Sequence, residues 1–341
     1  MDLMGAAWMI RELGEPVSAI HILPDGGIIA GGWDGALKQW DAEGDLMWEV
    51  DCDDRIETIL INQDRTIVTS GLNVTCIKEG SIEWSHALEG SSDMLCMHKG
   101  KVIATSSVYD IEHGDFMESA IWEFEPEGEL IDVERIDERP WFIESSKELL
   151  LALGRPRCGI LQGKKHSSLA TEHPVTCGIS GRKRTLLGHS DGTISSSKGK
   201  LISSEEDSID SIICTDYGFV ASIEGGTLIA RNSAAEPLWS ARGSQVICHT
   251  EGFSSTHWTG RFETIDGILE IRSSNGEMIA SMRTSRPRVA HANQNRVGFG
   301  FEDGKVIIWE KGLFERRTDS EEAKVDDRKT RLAERLRSLR S

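Results

Sequence analysis

Long apolar runs are missing from this sequence. No eighteen consecutive residues are apolar enough for a membrane-crossing helix, so a helical membrane protein is not expected. The opening residues, Met1-Asp2-Leu3-Met4-Gly5, lack the basic n-region of a secretory signal, and the chain is read as cytoplasmic. Seven cysteines are scattered without a CxxC pair, which argues against a disulfide framework and for a reducing compartment. Cys96, Cys177, Cys214 and Cys248 read as small buried strand residues. Catalytic signatures are absent as well. There is no G-x-S-x-G elbow, no phosphate loop and no H-E-x-x-H. No catalytic residue, cofactor-binding residue or metal ligand is assigned from sequence.

What the chain does have is turns and tryptophan. It carries 34 glycines against 8 prolines, and 10 tryptophans against 2 tyrosines. The stretch from Val17 to Val50 shows how these are used. Four short apolar runs, Val17–Leu23, Ile28–Gly32, Ala36–Asp41 and Leu46–Val50, alternate with Pro24-Asp25-Gly26-Gly27, Asp34-Gly35 and Glu43-Gly44. Runs of about five residues are too short for helices and right for strands. Asp-Gly between them reads as a tight turn, because glycine takes positive φ without a clash. Four antiparallel strands make one small meander, which cannot bury both its faces alone.

The same stretch carries a family resemblance. Val17-x-x-Ile20-His21-Ile22-x-Pro24-Asp25-Gly26, then Ala30-Gly31-Gly32-Trp33-Asp34-Gly35 and Leu37-Lys38-Gln39-Trp40-Asp41, resembles a WD repeat. The ending Trp40-Asp41-x-x-Gly44-x-Leu46-x-Trp48 is also similar to quinoprotein-like propeller repeats. Both resemblances imply an all-β fold, a β-propeller of four-stranded antiparallel blades.

The grammar recurs along the chain. A second unit starts near Arg55, with Trp84 where Trp48 fell. A third runs from Asp93 to Ile136, with an insertion at Tyr109–Met117. The fourth and fifth are degraded. Trp141–Glu144, Leu149–Leu153, Gly159–Gln162 and Ser167–Ala170 make the fourth; the fifth keeps Ser190-Asp191-Gly192-Thr193. The sixth is clear and carries Trp239. The seventh has a long connection around Arg261–Ile265. The eighth has only three strands, and the orphan run Ala6–Leu13 would supply the fourth and close the ring. The count is eight blades, or seven if units four and five are one irregular blade. Residues 1–315 are read as the propeller and 316–341 as a charged, helical or disordered tail. Within it Lys324–Leu339 favours helix and the charges from Arg328 on are almost all basic.

Four histidines, His21, His98, His249 and His291, fall on predicted innermost strands. Their registers disagree, so no metal site is assigned. The net charge of −18 disfavours general binding to nucleic acid or anionic lipid. The distribution is uneven, however. Between Arg155 and Lys200 nine Lys and Arg face only Glu172 and Asp191. Seven of them, Lys164, Lys165, Arg182, Lys183, Arg184, Lys198 and Lys200, fall in first-to-second or third-to-fourth strand loops, which share one face of a propeller. Arg155 and Arg157 should point the other way. A docking patch for an acidic partner is the functional reading of these seven, and a solvated face the bland one.

The resemblance implies a non-catalytic protein-interaction scaffold, a monomeric propeller within a complex. The alternatives are a quinoprotein-like enzyme, whose adjacent cysteine pair this chain lacks, and a nucleic-acid-associated factor using the basic patch and Arg-rich tail.

Overall fold

The protein is described here from a computed structural model covering residues 2–112, 114–181 and 184–318. Its strands form eight four-stranded antiparallel sheets. The innermost strands, blade by blade, are Val17–Ile22, Ile56–Asn62, Ser91–His98, Pro140–Ser145, Val175–Ser180, Ile209–Cys214, Gln245–Glu251 and Pro287–Ala292. Each packs beside the next, and the eighth packs beside the first, so the blades form a closed ring. Units four and five are separate sheets, which settles the count at eight.

The amino-terminal strand closes that ring. Met9–Glu12 is the outer strand of blade eight, antiparallel to Lys305–Glu310, with Met9 opposite Ile308 and Glu12 opposite Lys305. The residues before it are part of the seal. Leu3 and Ala6 are buried with Phe253, Trp258, Phe299 and Trp309, and the Trp309 indole donates to the Leu3 carbonyl at 2.9 Å. Without this strand the Lys305–Glu310 edge would present unpaired backbone groups.

One device recurs in every blade. After its first or second paired residue, each inner strand bulges before its register resumes: Val17/Ala19, Ile56/Ile59, Ser92/Met94, Pro140/Phe142, Val175/Cys177, Ile209/Ser211, Val246/Cys248 and Pro287/Val289. An extra residue shifts the side-chain phase by one. Val17 and Ile20 can therefore both be buried although three positions apart, and so can Ile209 and Ile212.

Tryptophan locks neighbouring blades together. Trp84, on the outer strand of blade two, donates to the Pro126 carbonyl of blade three at 3.0 Å. A Cβ on Gly128 in that turn would overlap the Trp84 ring. Trp239 of blade six makes the same bond to the Ser274 carbonyl of blade seven, against Gly276. Trp48 abuts Gly80 of blade two. These turns need glycine twice over, for positive φ and for room.

The structure corrects several strand limits. Tyr109–Met117 is no loop insertion. Strands Lys101–Asp110 and Asp115–Phe124 run on into one long hairpin. The outer strand of blade four is Lys165–Ser167, earlier than expected, because residues 163 and 164 already form the turn. In blade seven His257–Glu263 is one continuous strand. Arg261 lies inside it, 1% exposed, donating to Glu270 and to the carbonyls of Gly226 and Ser244. A short helix at 311–318 follows the last strand and buries Phe314 against Phe253 and Trp258. The helix expected at Lys324–Leu339 lies outside the described residues.

Candidate functional site

The ring has two loop faces. First-to-second and third-to-fourth strand loops emerge on one, here called the lower face. Second-to-third loops and the links between blades emerge on the other, the upper face. Helix 311–318 follows a third strand and so leaves from the lower face.

The basic residues sort onto these faces as follows. Lys164 lies in the third-to-fourth turn of blade four, and Lys198 and Lys200 in that of blade five. Lys165 is not in that turn; it is the first residue of the outer strand beside it. Arg184 ends the first-to-second loop of blade five and donates to the Ser233 carbonyl of blade six at 3.1 Å. These five therefore sit on or beside the lower face of two adjacent blades. Arg182 and Lys183 lie outside the described residues. Arg155 and Arg157 are in the second-to-third loop of blade four, on the upper face, where Arg157 pairs with the buried Glu138. The four lysines are exposed, and among the described residues none has an ion-pair partner.

The surroundings of this patch are mixed. Lys164 borders a groove of ≈ 490 Å³ between blades three and four whose walls include Glu123, Asp132, Glu134 and Glu148. Arg184 borders a smaller cleft of ≈ 220 Å³ with Asp216 and Glu251. The positive strip thus runs between two clefts lined in part by carboxylates.

The histidines fall into two groups. His21 and His291 stack across the first and last blades, ring centroids 4.5 Å apart, and the Ile22 N–H donates to His291 Nδ1 at 3.1 Å. The registers that seemed to disagree do bring this pair together. His249 is buried, with Nε2 at 2.7 Å from Ser211 Oγ and Nδ1 at 3.0 Å from His257 Nε2. Burial pushes His249 and His291 each down to about 4, so both are neutral at pH 7. His98 meets Ser145 instead. Among the described residues no three His, Cys, Asp or Glu side chains are grouped to hold a metal.

The upper face holds residues that the sequence did not single out. Trp33, in the Asp-Gly turn of blade one, is 40% exposed. The guanidinium groups of Arg55 and Arg288 stack on its ring at 4.6 and 4.3 Å. Across the ring, Arg139 is held between Phe116 and Trp141, at 3.9 and 4.4 Å, and donates to Asp93 at 2.7 Å. Asp93, Trp141 and Arg288 are the bulge residues of their blades. The bulge itself was the available signal. Apolar residues spaced i, i+3 at the start of an inner strand, as at Val17/Ile20, Ile56/Ile59 and Ile209/Ile212, mark an extra residue that turns out of phase.

Comparison with known proteins fits this geometry. No family model matches the chain, and no curated protein does. Solved structures do match. Sqt1 of Saccharomyces cerevisiae superposes with a TM-score of 0.71 at 11% identity, covering 90% of this chain and 99% of that one. BamB from Moraxella catarrhalis gives 0.68 at 15% identity, covering 89% and 97%. The WD40 β-propeller domain of Doa1 gives 0.57 at 13% identity, covering 91% and 98%. The chain has the fold of the WD-repeat and quinoprotein-like β-propellers, in an eight-bladed form closed by its amino-terminal strand.

Proposed function

We propose that this protein is a non-catalytic scaffold that docks macromolecular partners on its loop faces, with an acidic protein surface engaging the lower face of blades four and five. One observation carries the reading: Lys164, Lys165, Lys198 and Lys200 are exposed on or beside the lower face of adjacent blades, without ion-pair partners among the described residues, in a protein of net charge −18. Like charges held together repel. Salt screens that repulsion over about 8–10 Å, and a partner's carboxylates would relieve it. WD-repeat propellers as a class work as interaction scaffolds, which supports the general reading.

The experiment is a three-lysine variant, Lys164, Lys198 and Lys200 each changed to Ser. The melting temperature should hold, because all three are exposed. Partner association should slow several-fold, and its salt dependence should shrink. Unchanged association by a folded variant would refute the lower-face assignment.

A further inference from the structure

We infer that the groove between blades three and four holds the chain's own basic segment, residues 328–340, as a strap laid across the lower face. The contact is within one chain and does not rest on the docking proposed above.

Two facing blades build the groove. On blade three, Glu123 is opposite both Ile103 and Asp132, and Ile121 is opposite Glu134, so these five residues share the face that looks at blade four. Blade four supplies Glu148, Leu149 and Leu151 across the gap. The floor is therefore apolar and the walls are acidic. Glu123, Asp132, Glu134 and Glu148 are without an ion-pair partner among the described residues. Glu123 and Asp132 stand directly opposite each other, where like charges repel. Lys99 and Lys164 are the lysines that line the groove, and Lys147 sits beside it in the turn before Glu148. Lys101 is taken by Glu125. Leu161 packs with Ile121 on the blade-three side, so its neighbour Gln162, and Lys165 opposite Gln162, point toward blade five. The groove thus suits a segment with apolar side chains along one face and cations beside them.

The chain carries that segment. Residues 319–341 lie outside the described structure, but their composition is the complement of the groove. Arg328, Lys329, Arg331, Arg335, Arg337 and Arg340 stand against Glu334 alone. Leu332, Leu336 and Leu339 are spaced to share one face of a helix, with Arg331 and Arg335 beside them. Opposite charge and an apolar stripe match the walls and the floor together.

The reach is right as well. Helix 311–318 leaves the lower face and packs Phe314 on Phe253, in the first-to-second loop of blade seven. Blade three lies opposite blade seven in a ring of eight. The groove opens on the same face, since Lys99, Glu148 and Lys164 belong to lower-face turns. Eight inner strands about 10 Å apart give a ring of roughly 13 Å radius, and one strand spacing farther out opposite strands are about 36 Å apart. The ten residues 319–328 span up to about 35 Å when extended. An attached segment also acts at an effective concentration in the mM range, which favours the chain's own segment over that of a neighbour.

The test uses the full chain, as an equal mixture of unlabelled and heavy-isotope-labelled copies, treated with a carbodiimide, which joins a lysine amine to a carboxylate it touches. Mass spectrometry should find Lys329 joined to Glu123, Asp132, Glu134 or Glu148 of the same copy. The yield should fall as salt rises. It should drop several-fold when Leu332 and Leu336 are both changed to Asp, and again when Arg331 and Arg335 are both changed to Glu. Neither variant touches the ring, so the melting temperature should hold within a few degrees. Any of four results overturns the inference: no link from Lys329, links spread over carboxylates all round the ring, links only between labelled and unlabelled copies, or links that survive both variants.

Discussion

Blades four and five differ from the arc formed by blades seven, eight and one. The arc is sealed with large side chains: Trp258, Phe299, Phe301 and Trp309 are all buried, and Leu3, Phe253 and Phe314 pack on them. Blades four and five have none of the largest buried side chains. Their cores are small, with Leu150, Ala152, Ile160, Val175 and Leu187 in one cluster. Their outer strands are three and four residues long. Blade five fills its interior with polar atoms instead, as where His189 Nε2 lies 2.8 Å from Ser195 Oγ. Yet both regions obey one backbone rule. The Asp-Gly turn of blade one has the Ala36 N–H donating to Asp34 at 3.1 Å, and that of blade five has the Thr193 N–H donating to Asp191 at 3.0 Å. Backbone devices therefore make a blade, and aromatic mass determines how firmly it is held. The exposed lysines lie on the lightly held blades, where packing makes the fewest demands on sequence.

That contrast can be broken at the seal first. Removing residues 1–13 takes away Leu3, Met9 and Leu13, at about 2 kcal/mol each by burial, and leaves Lys305–Glu310 as a bare edge. The expected effect is a loss of several kcal/mol, read as a large fall in urea midpoint or as aggregation. An unchanged midpoint would mean that the arc owes nothing to closure.

Acid comes next. His249 has its ordinary value of 6.5 when unfolded and about 4 when folded. The unfolded chain therefore takes up the proton first as pH falls. Stability present above pH 6.5 should be lost progressively down to about pH 4, by about 3 kcal/mol for this one group. His291 adds to the loss in the same direction. Chemical denaturation between pH 7 and 4 should show this slope, and His249→Gln should flatten it.

The smallest effect tests the shared backbone. Gly35 and Gly192 both have positive φ, and a Cβ on either would overlap a carbonyl oxygen of the link that follows, Cys52 or Glu205. Gly35→Ala and Gly192→Ala should each cost on the order of 1–3 kcal/mol, and by similar amounts. A much cheaper Gly192→Ala would show that the lightly held blades also relax their turns.

The blade grammar is legible in the sequence because turns and docking tryptophans are local. Asp34-Gly35, Asp191-Gly192 and Trp48, Trp84 and Trp239 can each be read where they stand. The N-terminal closure follows from counting strands. The rest needs distance. Arg261 looks like a loop residue until blade six supplies carbonyls for it. Tyr109–Met117 looks like an insertion because nothing in composition separates a long hairpin from a loop. Arg288 is far from Trp33 in the chain, and only ring closure brings the two together.

The scaffold reading turns on which surface a partner touches. Lysine-directed cross-linking of the protein with a captured partner, read by mass spectrometry, tests this most directly. Cross-links should concentrate on Lys164, Lys165, Lys198 and Lys200, and should be sparse at Lys305 on the far side of the ring. Partner cross-links at Lys305 with none at the four lysines would contradict the account.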